Sequence, residues 1–123
     1  METDRPVVVL DFDGFLHSYV SGWTGPEPLD PPIEGSQHLV RWLMENGYEP
    51  VIVSSRAINS RGRIEIEHWL RDHGFPRLRV TDEKVQAILY ADDKGFRFDG
   101  TFQPMIDFLI QNPQGETWVD ALE

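Results

Sequence analysis

Three features of this sequence predict an α/β domain with a three-layer, doubly wound parallel sheet. Val7-Val8-Val9-Leu10 is an unbroken apolar run, as in a strand buried on both faces. Further short apolar runs alternate with segments of helical periodicity, the rhythm that parallel strands and their crossovers impose. Three of the runs end in polar residues: Asp11, Ser54-Ser55 and Asp92-Asp93. In such sheets ligands bind beyond the carboxyl ends of the strands, near a topological switch point. Residues far apart in the chain are therefore expected to converge on one edge.

The first strand is Val7 to Leu10. Segment 14–32 is rich in Gly, Pro, Ser and Trp and predicts a long irregular flap, a length usually reserved for function. A helix is expected over 35–46, where Leu39, Val40, Leu43 and Met44 recur at helical spacing and Gly47 supplies a stop. Residues 50–53 form the second strand. Asn59 or Ser60 caps a helix reaching His73, with Ile66, Trp69 and Leu70 inward and Gly74 and Pro76 as terminators. Residues 77–80 and 87–91 give a third and a fourth strand. Phe96 and Phe98 alternate with polar residues, which suggests a fifth strand at an edge. Pro104 opens a last helix through Ile110, and Trp118 and Val119 are candidates to dock on the core.

With 123 residues, 40% of them hydrophobic, the chain suits one domain over 1–123 with a single core and no cap domain. Its formal charge of −10 disfavours nucleic acid or an anionic membrane as a bulk-charge partner. A small phosphorylated substrate stays compatible, because a metal ion can bring positive charge locally. The absence of Cys rules out disulfides, zinc–thiolate sites and thiol catalysis. No apolar run is long enough for a membrane span and the start lacks a signal segment, so a cytoplasmic location is expected. Oligomeric state is not legible.

Asp11-Phe12-Asp13-Gly14 places two carboxylates directly after a buried strand. Taken alone, Asp-x-Asp is as often a turn. Here close like charges would repel by roughly 4 kcal/mol at 4 Å and an effective dielectric near 20, so a fold that keeps them needs an offsetting cation. All-oxygen ligation points to Mg2+. Asp92-Asp93 forms a second acidic element, and Ser54, Ser55 and Lys84 are polar or cationic candidates near strand ends. Each has an ordinary alternative as a turn, a cap or a surface residue. Their order along one predicted edge is what distinguishes them.

In that order the chain resembles the haloacid dehalogenase-like hydrolase superfamily. The matching pieces are Val7 to Gly14, Val51-Ile52-Val53-Ser54-Ser55, Lys84, and Leu89-Tyr90-Ala91-Asp92-Asp93. The resemblance implies a small, capless Mg2+-dependent phosphohydrolase working through an aspartyl-phosphate. It implies Asp11 as nucleophile and metal ligand. Asp13 would be acid, then base, with its backbone carbonyl on Mg2+. Ser54, or else Ser55, would bind a phosphoryl oxygen, and Lys84 would neutralise charge. Asp93 would ligate Mg2+ directly, with Asp92 beside it. The chemistry is coherent: a carboxylate attacks phosphorus when cations offset repulsion, fixed donors hold the equatorial oxygens, and a second acid serves the leaving group. Phe15 departs from the family's usual Thr or Val. Tyr19 and Trp23 in the flap are available to a substrate.

Arg56 is read as a substrate-binding candidate, with a salt-bridging role as its alternative. His17 lies just past the acidic loop, whereas His38, His68 and His73 show no metal spacing. Trp42 and Trp69 are assigned to the core, Glu65 and Glu67 to an exposed helix face. Two competing functions remain: a catalytically idle relative that only binds, and a response-regulator receiver domain. A receiver has its acidic pair after the first strand and its phosphoacceptor after the third, which is not the order here.

Overall fold

A computed structural model describes residues 5–91 and 102–111. The described elements are β1 (Val7–Leu10), α1 (Ser36–Glu45), β2 (Glu49–Val53), a 3-10 turn (Ser55–Ile58), α2 (Ser60–Asp72), β3 (Arg79–Thr81), β4 (Leu89–Ala91) and α3 (Gln103–Gln111). The strands form one parallel sheet in the order β3-β2-β1-β4, so β1 is central and the strand order reverses between β1 and β4. That is the α/β parallel architecture expected. Leu10, Ile52, Val80 and Ala91 share one row across the sheet, which brings the carboxyl ends of all four strands level.

Helix α1 and helix α2 end alike. Gly47 and Gly74 adopt positive φ (87° and 76°), as the residue after a helix must to turn the chain back. Tyr48 and Phe75, one residue on, return their N–H groups to the carbonyls of Leu43 and Leu70 at 2.9 Å and bury their rings. Helix α2 starts at Asn59, whose side chain accepts the Gly62 N–H at 2.9 Å. Its first turn lies hard against the preceding 3-10 turn: a Cβ on Gly62 would sit 1.8 Å from the Arg56 carbonyl oxygen.

Val8, Leu10, Ile52, Val80, Leu89 and Ala91 face a core completed by Leu39 and Leu43 of α1, Ile66 and Trp69 of α2, and Ile106 and Leu109 of α3. All three described helices thus share one core, and the expected further helical layer is not among the described residues. Burying a Leu, Ile or Val side chain contributes about 1.5–3 kcal/mol, so this core is the main source of cohesion. Trp69 is buried as expected, while Trp42 only flanks the core.

Two strand expectations shift. β3 begins two residues later than read, because its pairing partners on β2 run from Val51 to Val53. β4 is confined to Leu89–Ala91, the residues that pair with β1. No helix lies in the 82–88 connection between β3 and β4, which is shorter than the dozen or so residues usual for a parallel crossover. Tyr90 secures it, its hydroxyl bonded to the N–H and carbonyl of Val85. The expected strand around Phe96 and Phe98, and Trp118 and Val119, lie outside the described residues.

Candidate functional site

β1 delivers Asp11 to the carboxyl edge of the sheet. Its N–H donates to the Ala91 carbonyl at 3.0 Å, and its Oδ1 accepts the Phe12 N–H at 2.9 Å. The half-buried Asp11 borders a cavity of about 80 Å3 lined also by Val9, Val53, Tyr90 and Ala91. Whole-ligand pockets run to about 300–1,000 Å3, so this one admits a small group and not a whole metabolite. Larger hollows, such as one of about 450 Å3 beside Leu70 and Phe75, contain none of the predicted site residues.

After Asp11 the chain coils into a tight turn. The Phe12 carbonyl accepts the N–H groups of Phe15, Leu16 and His17, and Gly14 takes a φ of 80° while its N–H reaches the His17 carbonyl. Phe12, Phe15, Leu16 and His17 are buried, and Phe15 meets Phe102 edge to face. The Phe at position 15 is therefore a core residue supporting the acidic turn. The flap beyond it has a stem, formed where Ser18 and Ile33 donate to the carbonyls of Pro31 and Leu16.

Asp13 is held from two sides. Its Oδ1 accepts Nδ1–H of His17 at 2.8 Å, and its Oδ2 accepts Nε–H of Arg56 at 2.8 Å. The other ring nitrogen of His17, Nε2, accepts the Asp30 N–H at 3.0 Å. This network assigns the neutral Nδ1–H tautomer to His17. Burial pushes the Asp13 carboxyl upward, but the His17 and Arg56 hydrogen bonds and the Arg56 charge outweigh it and leave Asp13 below the ordinary carboxylate value. Asp30 is also lowered, by the hydroxyl and then the N–H of Ser21. Its carbonyl accepts the Trp69 indole N–H at 2.8 Å, tying the flap to α2.

Arg56 is buried, against the ordinary habit of arginine. The 3-10 turn places it there, with Ser54 as its cap: Ser54 Oγ accepts the Arg56 N–H at 3.2 Å. Besides Asp13, the guanidinium serves the flap, its Nη1 donating to the carbonyls of Gly25 and Pro26 at 3.0 and 3.1 Å. It lies 4.7 Å from the ring centre of Trp23 and 5.8 Å from that of Tyr19, whose φ of 60° is rare for a bulky residue. Its Nη2 is buried with no hydrogen-bond partner among the described residues.

The structure thus brings Asp13 and Arg56 together and sets Asp11 and Ser54 on the same edge. Ser54 is buried and Ser55 exposed. Lys84 is exposed on the 82–88 connection and forms no ion pair among the described residues. Asp92 and Asp93 lie outside the described residues. Sequence reasoning missed the roles of His17 and Asp30. The signal for His17 was its spacing, four residues after Asp13; Asp30 carried none. Among the described residues no group of three or more His, Asp or Glu is placed to hold a metal. No helix there is long and apolar enough to cross a membrane. No family model, curated protein or solved structure matches the chain.

Proposed function

We propose that the protein is a phosphohydrolase of the haloacid dehalogenase-like type, with Asp11 as nucleophile and Asp13 as acid and base. The observation that supports this most is the placement of Asp11: a half-buried carboxylate at the end of the central strand, beside a cavity sized for a small group. An Asp11 oxygen attacks phosphorus, the bond to the leaving oxygen breaks, and that oxygen takes its electron pair and a proton from Asp13. Water then attacks the aspartyl-phosphate, gives its proton to Asp13, and phosphate departs as the bond to Asp11 breaks. Ser54 keeps its hydroxyl proton to donate to a phosphoryl oxygen, since its bond to the Arg56 N–H uses only a lone pair.

Mg2+ is the cation this reading calls for. Asp13 has both carboxylate oxygens engaged, so its backbone carbonyl is what it would offer, together with the Asp11 carboxylate two residues earlier. β4 ends beside β1, and the chain continues from it into Asp92 and Asp93. Those residues would complete an all-oxygen set. When bound, the ion would offset the charge of the phosphoryl oxygens against Asp11. Lys84 would do the same from the 82–88 connection.

One observation favours the idle, binding-only alternative: Arg56 and His17 hold Asp13 as a carboxylate, whereas the first step needs its acid form. Turnover decides. Wild type with Mg2+ is expected to hydrolyse phenyl phosphate, and Asp11→Asn to lose at least about a thousandfold, about 4 kcal/mol in the barrier, with an unchanged melting temperature. A well-folded Asp11→Asn that keeps a tenth of the activity excludes Asp11 as nucleophile.

A further inference from the structure

The cavity beside Asp11, about 80 Å3 and lined by Val9, Val53, Tyr90 and Ala91, admits a small group only, and neither Asp13 nor Trp23 lines it, so the rest of any ester lies outside it. Where it lies follows from Asp13. An acid that protonates the leaving oxygen has the leaving group next to it, and what stands next to Asp13 is Arg56, with Trp23 stacked on the guanidinium. Trp23 keeps 60% of its surface exposed although the Arg56 guanidinium lies over its ring. Arg56 also bonds the carbonyls of Gly25 and Pro26 in the same flap. The buried Nη2 of Arg56 is a further donor without a partner among the described residues.

We infer that Trp23, seated by Arg56, is a leaving-group subsite that selects phosphate monoesters whose alcohol carries a planar ring. The ring packs on Trp23, and a heteroatom near the ester oxygen accepts from Nη2. Arg56 is a positioning residue here, and Trp23 sets specificity. The inference rests on the phosphohydrolase reading for its chemistry.

The test compares wild type, Trp23→Ala and Trp23→Phe on phenyl phosphate, a nucleoside 5′-monophosphate and glycerol phosphate. Stacking of one ring is worth enough that Trp23→Ala should raise KM for a ring-bearing ester about tenfold, with kcat within about twofold. KM for glycerol phosphate should not move, and Trp23→Phe should recover most of the loss. The ring-bearing ester with the larger Trp23 effect shows whether the ring joins the ester oxygen directly or through a sugar. An equal change for all three esters, or no change for any, overturns the subsite and leaves the hydrolase intact. A second measurement is independent of turnover: phenyl phosphate should quench tryptophan fluorescence in Asp11→Asn, and Trp23→Phe should abolish the quench. If no ester is turned over but that quench is seen, the hydrolase reading and with it the leaving-group role fall, and Trp23 is left as a binding site for ring-bearing phosphates. If there is neither turnover nor quench, both fall.

Discussion

Arg56→Gln removes the one buried Arg or Lys among the described residues, and its cost can be worked from the contacts. The charge-assisted bond to Asp13 is worth about 1.5–3 kcal/mol, and each of the two bonds to flap carbonyls about 1 kcal/mol, one of which Gln can retain. Stacking on Trp23 adds about 0.5–1 kcal/mol. Against this, the substitution relieves Nη2, which has no partner among the described residues, a penalty of about 1–3 kcal/mol. Asp13 retains His17, and its side chain is 24% exposed, so water reaches the carboxylate left behind. The net loss should be about 2 kcal/mol, below the 3–5 kcal/mol of a fully buried broken pair. For a chain of this length that lowers the melting temperature by about 6–10 °C. Urea melts of wild type, Arg56→Gln, Asp13→Asn and the double variant form the assay. The cycle should return a coupling of at least about 1 kcal/mol between the two positions. If the two losses add within about 0.5 kcal/mol, or Arg56→Gln costs less than that, Arg56 does not hold Asp13 in solution and the flap is not fastened as described.

Gly62→Ala should destabilise by more than about 3 kcal/mol, because its Cβ would collide with the Arg56 backbone and α2 could not close on the 3-10 turn; a melt within a degree or two of wild type disproves that packing. The folded carboxyls of Asp13 and Asp30 lie below their unfolded values. Their contribution to stability is therefore complete above the unfolded value near pH 4 and is lost as pH falls through the folded values. Asp13→Asn should flatten the decline of stability below about pH 4, measured by urea melts from pH 6 to pH 2, and an unaltered slope contradicts the assignment. Mg2+ at a hundred times its dissociation constant should add about 2.7 kcal/mol at constant ionic strength. Asp93→Ala should remove most of that gain, and equal responses of the two proteins remove Asp93 from the metal site.

β1, β2, α1 and α2 were legible because their signals are local: apolar runs, helical spacing and a glycine after each helix. β3 was legible as a strand but not in its limits, since Arg77-Leu78-Arg79-Val80 alternates with no boundary of its own and only pairing with β2 fixes where the strand begins. At the site, Asp11, Asp13 and Ser54 could be read as strand-end residues, and Arg56 as a cation with two possible roles. The structure gives Arg56 to Asp13 and the flap. The contacts of His17 and Asp30 were hidden because they depend on how segment 14–32 doubles back on its stem. No periodicity encodes that path. Asp30 sits among prolines in the sequence, yet bonds to His17 and Trp69 decide its place.

The centrality of β1 has a kinetic consequence. β1 pairs with β2 after one helical connection, but with β4 only once about eighty residues have been threaded, from Val8 to Leu89. Closing so long a loop is slow relative to local helix formation. The segment from β1 to β3 is thus poised to assemble first, leaving one long edge of β1 open until β4 arrives. Only then does the Asp11 amide find the Ala91 carbonyl. Assembly of the acidic edge is accordingly expected to come late, and a chain caught before it would present an unpaired apolar strand, Val7 to Leu10, of the kind that invites association between chains.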